Sequence, residues 1–229
     1  MSTPPVELAI PLTGWLALLG GGEFTFGETE DADLAWLARA PAGPVGFVPA
    51  ASGSEEYPRH FATYLGDLCG RSVETIPIYR PRDARRERNA ERLAAVAAVY
   101  LGGGLTEQLV DSLAGSPALA ALERKLASGG VVIAIAAAAQ ACGALFRGLR
   151  PGVPGRGLGW LAGAAVEANF DPDHDRRLRQ LLGAGGARVG LGIPESGALL
   201  LGPAGEWATV GPVFRIVGAE GELEEIENG

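Results

Sequence analysis

The chain has 229 residues, 47% hydrophobic and 20% charged, a balance that fits an ordinary globular fold and excludes disordered and fibrous classes. Its net charge of −8 excludes a protein built mainly to bind phosphate backbones, because that affinity needs clustered Lys and Arg. Two cysteines, Cys69 and Cys142, are too few for a disulfide framework or a zinc site.

The N-terminus lacks a leader pattern and no apolar run reaches membrane length, so the expectation is a cytoplasmic protein with no membrane or nucleic-acid partner. Trp15 to Gly20 reads as a first strand closing on Gly20-Gly21-Gly22, and Glu28 to Arg39 as a helix with acids at its start. Pro44 to Pro49 is a strand, Glu55 to Cys69 a helix, and Val73 to Ile78 a strand whose proline suggests a sheet edge. The basic run from Arg80 to Arg88 is interleaved with acids and reads as a solvated face beside a helix over Ala84 to Ala95. Val96 to Leu101 is a strand ending on Gly102-Gly103-Gly104. Residues 106 to 128 are helical with a break near Gly115-Ser116-Pro117, and Val131 to Ile135 is the buried central strand.

Pro151 to Gly159 is a loop by composition. Beyond it come a short run at Ala164 to Val166, a helix from Pro172 to Leu182, and strands at Arg188 to Ile193, Ala198 to Leu201 and Phe214 to Val217. The acidic tail, 220 to 229, is expected to fray. No repeat or linker divides the chain, so residues 1 to 229 are read as one domain. Strands alternating with helices give an α/β fold with a mostly parallel sheet, whose ligand crevice lies at the carboxyl ends of the strands. The glycine clusters at 20 to 22 and 102 to 104 converge there, but neither matches a nucleotide fingerprint, and no cofactor is expected.

Residues 134 to 139, Ala-Ile-Ala-Ala-Ala-Ala, lie where the central strand turns into a helix, as a nucleophile elbow does. Small residues occupy the two flanking places, Ala134 and Ala138, and Ala136 stands where the nucleophile would be. This segment aligns without a gap on the G-x-S-A-G-A elbow of the cyanophycinase and aspartyl dipeptidase (dipeptidase E) family of serine peptidases, which the chain resembles over nearly its whole length. Leu18-Leu-Gly-Gly-Gly-Glu23 and Val48-Pro-Ala-Ala-Ser52 look like that family's first two turns. Tyr100 to Leu109 is similar to G-G-G-N-T-x-x-L, with Leu105 in place of Asn. Gly157 to Leu161 with Val166 to Phe170, and Gly190 to Leu199, look like two further segments of the family.

The resemblance implies a three-layer α/β/α fold of the class I glutamine amidotransferase-like or flavodoxin-like kind, and a homodimer. It places the catalytic serine on Ala136, the catalytic histidine on Asn169 and the acid on Glu195, with oxyanion donors at Gly103 and Gly104. The crevice would be lined by Gly21, Gly22, Glu23, Gly103, Gly104, Ala137, Asn169 and Glu195. A methyl group cannot attack a carbonyl, and an amide is no base near neutral pH.

Two functions are therefore carried forward. One is a non-catalytic homologue that binds a small peptide-like ligand or a protein partner in the inherited crevice. The other is an active hydrolase using residues outside the triad. Cys142 reads as a small hydrophobe in the helix, His174 as a solvated imidazole among acids, His60 as a surface residue, and Ser52 and Ser54 as turn or cap residues. Glu195 would need a backbone donor or an arginine if buried. Without its hydroxyl, the elbow at Ala136 is expected to relax.

Overall fold

In the computed structural model, which describes residues 3–150 and 152–227, the first half of the chain alternates strand and helix as its apolar pattern requires. Its elements are β1 (Trp15–Leu19), α1 (Glu30–Leu37), β2 (Val45–Val48), α2 (Tyr57–Cys69), β3 (Val73–Thr75), α3 (Pro81–Ala84), α4 (Glu87–Ala95), β4 (Ala98–Leu101), α5 (Thr106–Leu113), α6 (Pro117–Ala127), β5 (Val131–Ile135) and α7 (Ala137–Cys142). The second half adds β6 (Leu145–Arg147), β7 (Pro154–Arg156), β8 (Ala164–Ala168), α8 (Arg176–Gly183), β9 (Val189–Ile193), β10 (Ala198–Leu201), β11 (Trp207–Val210), β12 (Phe214–Val217) and β13 (Leu223–Glu225).

A seven-stranded sheet runs in the order β11-β10-β1-β5-β4-β2-β3, with β5 at its centre and β3 at its edge. The pairs among β1, β5, β4, β2 and β3 are parallel, while β10 and β11 are antiparallel. The parallel strands are apolar at nearly every position because both faces are covered. Leu16, Leu18, Val99, Leu101, Val132 and Ala134 enter one core with Leu93, Leu109, Leu113 and Leu122 of the helices after them. Their alternates, Ala17, Leu19, Phe47, Tyr100, Ile133 and Ile135, enter a second core with Trp36, Phe61 and Leu65 of α1 and α2. The period of two along each strand thus sorts successive side chains into two helical layers.

The helical region 106 to 127 breaks at Gly115, whose φ is 59°, and restarts where Ser116 Oγ accepts the Leu119 N–H at 3.1 Å ahead of Pro117. The helix expected over Ala84 to Ala95 begins instead at Glu87, and a separate four-residue helix, Pro81–Ala84, precedes it. Buried Asp83 accepts the Tyr79 N–H at 3.3 Å, and Asn89 Nδ2 donates to the Asp83 carbonyl at 2.9 Å, side-chain bonds that compete with a continuous helix.

The sequence reading places one sheet at the centre; the structure adds a second, six-stranded, in the order β13-β12-β9-β8-β6-β7. Its members β6, β7 and β13 are three residues each, too short to carry a readable alternation, and β7 crosses the glycine-rich stretch expected to be loop. The tail is corrected as well: Leu223–Glu225 pairs with Phe214–Ile216, and the Ile226 N–H donates to the Val213 carbonyl at 2.8 Å. Pro151 of the expected loop and the last two residues of the expected tail lie outside the described residues.

One face of this second sheet packs Leu145, Ala165 and Phe170 against Leu178, Leu181 and Leu182 of α8. The other turns Val166, Leu191 and Ile193 toward the core that holds α7. Ala137, Ala138, Ala139, Ala141 and Cys142 are all buried. A six-residue helix enclosed between β5 and β8 leaves room for little more than methyl groups at interior packing density, which accounts for its alanines. Among the described residues no helix is long and apolar enough to cross a membrane.

Candidate functional site: an elbow without a nucleophile

Ala136 links β5 to α7 with φ 51° and ψ −111°. A non-glycine residue held there stores on the order of 1–3 kcal/mol of strain. The expected relaxation is therefore corrected. Both sides of the turn are held: the Ala136 N–H donates to the Leu19 carbonyl at 2.9 Å, and its own carbonyl accepts the Gln140 N–H at 3.1 Å. The flanking Ala134 and Ala138 have no exposed surface. The geometry comes from strand pairing and helix packing, neither of which involves a hydroxyl.

The other positions gather about the turn that follows β1. The Asn169 N–H donates to the Gly20 carbonyl at 2.9 Å, and Asn169 itself has φ 50°. A Cβ on Gly21 would collide with Asn169 Oδ1, so the amide side chain rests where only glycine leaves space. A Cβ on Gly20 would strike the Pro194 carbonyl, and one on Gly22 would come within 3.4 Å of the Glu195 carbonyl. Ala136, Asn169 and Glu195 are thus brought round Leu19 to Gly22 from three separate loops.

Glu195 differs from the sequence expectation. Its side chain is exposed and, among the described residues, makes no hydrogen bond or ion pair, so nothing orients it as the acid of a triad. Glu23 is occupied elsewhere: its Oε1 accepts the Thr25 N–H at 3.2 Å and the Thr25 hydroxyl at 3.0 Å, capping a short 3₁₀ turn.

On the opposite wall, Gly103 faces Ala136, since a Cβ there would stand 3.6 Å from the Ala136 methyl. Gly104 has φ 145° and lies against the Ala51 carbonyl, which only glycine permits. Among the described residues neither Gly103 nor Gly104 donates its N–H to a backbone carbonyl. The Tyr57 hydroxyl approaches this wall, its ring stacked on Phe24 at 5.8 Å. Burial pushes its pKa above the ordinary phenol value, the Gly103 N–H opposes that rise, and Glu23 and Asp33 add to it. Tyr57 is therefore a neutral hydroxyl beside the glycine donors.

From Ala136 a cavity of about 700 Å³ opens past Ala137, Gly104 and Asn169. Its charged lining is Arg147, Arg150 and Arg177 against Glu107 alone, opposite in sign to a chain of net charge −8. Glu167, within the electrostatic influence of Arg147 and Arg177, is 7% exposed, with one carboxylate oxygen buried and unbonded. Burial raises its pKa while Arg147 and Arg177 draw it back down. Gly21, Gly22, Glu23, Gly103 and Glu195 do not line this cavity.

The remaining nucleophile and base candidates stay away from it. The Cys142 thiol is fully buried, donates to the Ala138 carbonyl at 3.3 Å, and has its pKa pushed well up by burial. Exposed His174 donates from Nδ1 to Asp171 Oδ2 at 2.6 Å. His60 is exposed on α2. Ser54 Oγ accepts the N–H groups of Glu56 and Tyr57, both at 3.2 Å, and Ser52 Oγ accepts that of Ser54 at 3.2 Å.

Sequence reasoning missed Tyr57, Glu107 and the three arginines. They come from α2, α5, α8, the end of β6 and the loop after it, with no shared spacing to join them. Only the sign of their charge in an acidic chain could have drawn attention.

The family model described as peptidase family S51 matches residues 16–147, more than half of the chain. Among solved structures, a peptidase from an acI-B1 actinobacterium superposes with a TM-score of 0.74 at 21% identity, covering 95% of this chain and 96% of that one. A putative peptidase E protein from Listeria monocytogenes EGD-e superposes with a TM-score of 0.62 at 16% identity, covering 86% and 98%. Among curated proteins none matches.

Proposed function

Because the chain belongs to peptidase family S51 yet has alanine and asparagine where the family resemblance places serine and histidine, we propose that it is a non-catalytic member. In this reading it binds a small peptide-like ligand with an acidic group in the inherited crevice. The observation that carries the reading is the elbow itself: its strained turn is kept around a methyl group. Covalent acyl transfer needs a nucleophile and a base that takes its proton, and removing them from such triads lowers turnover by about 10⁶-fold. What survives, the Gly104 N–H and the Tyr57 hydroxyl that faces the Gly103 N–H, can still donate hydrogen bonds to a carbonyl or carboxylate. Arg147, Arg150 and Arg177 supply the positive field that an acidic group needs.

A serine-directed fluorophosphonate and a panel of aspartyl dipeptides test it. The expected outcome is no adduct by intact mass and no hydrolysis, while calorimetry detects an aspartyl dipeptide that binds the wild type and loses about tenfold affinity in R147A/R177A. Turnover abolished by changing one residue would overturn the reading in favour of an active hydrolase. In A136S/N169H, slow probe labelling absent from A136S alone is expected, since only the pair restores both nucleophile and base.

A further inference from the structure

Beside the crevice lies a second cavity of about 790 Å³, between one face of α5 and the segment Tyr79 to Asp83. The two share Leu105, Glu107 and Leu149, but this one has the opposite electrostatics. Four carboxylates, Glu55, Asp83, Glu107 and Asp111, line it with two cations, Arg80 and Arg82, and Asp83 is already within 3.8 Å of Arg82 and 3.5 Å of Arg86.

Two polar atoms in its wall are left without partners. Ser112 is 2% exposed and its Oγ makes no hydrogen bond; Glu107 Oε2 is buried and likewise unbonded. A buried hydroxyl and a buried carboxylate oxygen left unpaired are destabilising, and a bound donor would offset this. Among the described residues no three His, Cys, Asp or Glu side chains converge as metal ligands. Exposed Leu105 and Leu149 with Pro81 and the Tyr79 ring supply apolar surface at the mouth.

We propose that this cavity binds a linear aliphatic diamine or polyamine. A primary ammonium offers three donors and no acceptor, which suits Glu107 Oε2 and then Ser112 Oγ, a hydroxyl able to accept. Glu107 and Ser112 are five residues apart on α5, so at 1.5 Å per residue their backbone positions are separated by about 7.5 Å along the axis. One ammonium does not bridge that span. Two, joined by a methylene chain, do, and the chain then lies on the leucines. Glu107 also lines the crevice, so a bound amine neutralises the one acid there and strengthens its positive field. The assignment does not depend on whether the crevice is catalytic.

Titration of the full chain with putrescine and spermidine, by calorimetry and by backbone NMR in about 150 mM NaCl, tests it. Saturable one-to-one binding is expected, with shifts confined to α5 and residues 79 to 83. Affinity should fall at least tenfold in E107Q and severalfold in S112A. Should E107Q not fold, D111N, at an exposed position, is expected to weaken binding about threefold. Unsaturable binding, shifts spread over the acidic surface, equal displacement by Mg²⁺ at matched charge, or wild-type affinity in the folded variants each overturn it.

Discussion

Ala136→Gly should make the protein more stable, although it removes atoms from a packed turn. At φ 51° and ψ −111° the alanine holds about 2 kcal/mol of backbone strain, the middle of the usual range. Glycine occupies positive φ without steric conflict and releases it. Two terms oppose the gain. The glycine chain loses about 0.4–1 kcal/mol more backbone entropy on folding. Removing a half-buried methyl forfeits about 0.4 kcal/mol of burial. The balance is a stabilisation of about 1 kcal/mol, or roughly 2–4 °C in Tm for a chain of this size. Urea unfolding with an unchanged m-value measures it directly. Gly104→Ala is the matched control: at φ 145°, against the Ala51 carbonyl, it should lose about 2–4 kcal/mol. If A136G were less stable than wild type by more than about 0.5 kcal/mol, the turn would not be strained at that residue, and the account of a geometry held by its surroundings would fail.

The two thiols should separate cleanly toward a disulfide reagent. Exposed Cys69 reacts within seconds to minutes and Cys142 only on unfolding, so two fast equivalents in the native protein would refute its burial. In an NMR titration His174 should titrate above the ordinary 6.5, and D171N should bring it back down; an unmoved midpoint in D171N would refute the pairing. The sign follows from linkage. His174, raised in the folded state, contributes stability that is complete below 6.5 and is lost as pH rises through its folded value. Asp171, lowered, contributes above 3.8 and loses it as pH falls through its folded value. The pair therefore contributes fully only between these limits.

Local pattern was enough for most elements of the first half, the helix expected from Ala84 excepted, because period-two apolar runs and capped helices are nearest-neighbour effects. The central place of Val131 to Ile135, the edge place of Val73, and the break at Ser116-Pro117 were all legible in this way. So was the alanine at the elbow, since residue identity alone shows that no hydroxyl is present. The strain at Ala136 was not legible. It arises from the Leu19 carbonyl on one side and the packing of α7 on the other, contacts with residues far along the chain. The second sheet escaped notice for the same reason, as three-residue strands such as Leu145–Arg147 exist only through their partners.

By itself the sequence determined that positions 136 and 169 carry alanine and asparagine, neither a nucleophile nor a base, because chemistry resides in side-chain identity. Only the tertiary structure decided that the elbow keeps its shape, that Glu195 stands unpaired, and that arginines and carboxylates divide between two adjoining cavities. Those outcomes depend on which surfaces meet when separate elements pack, and no local spacing along the chain encodes that.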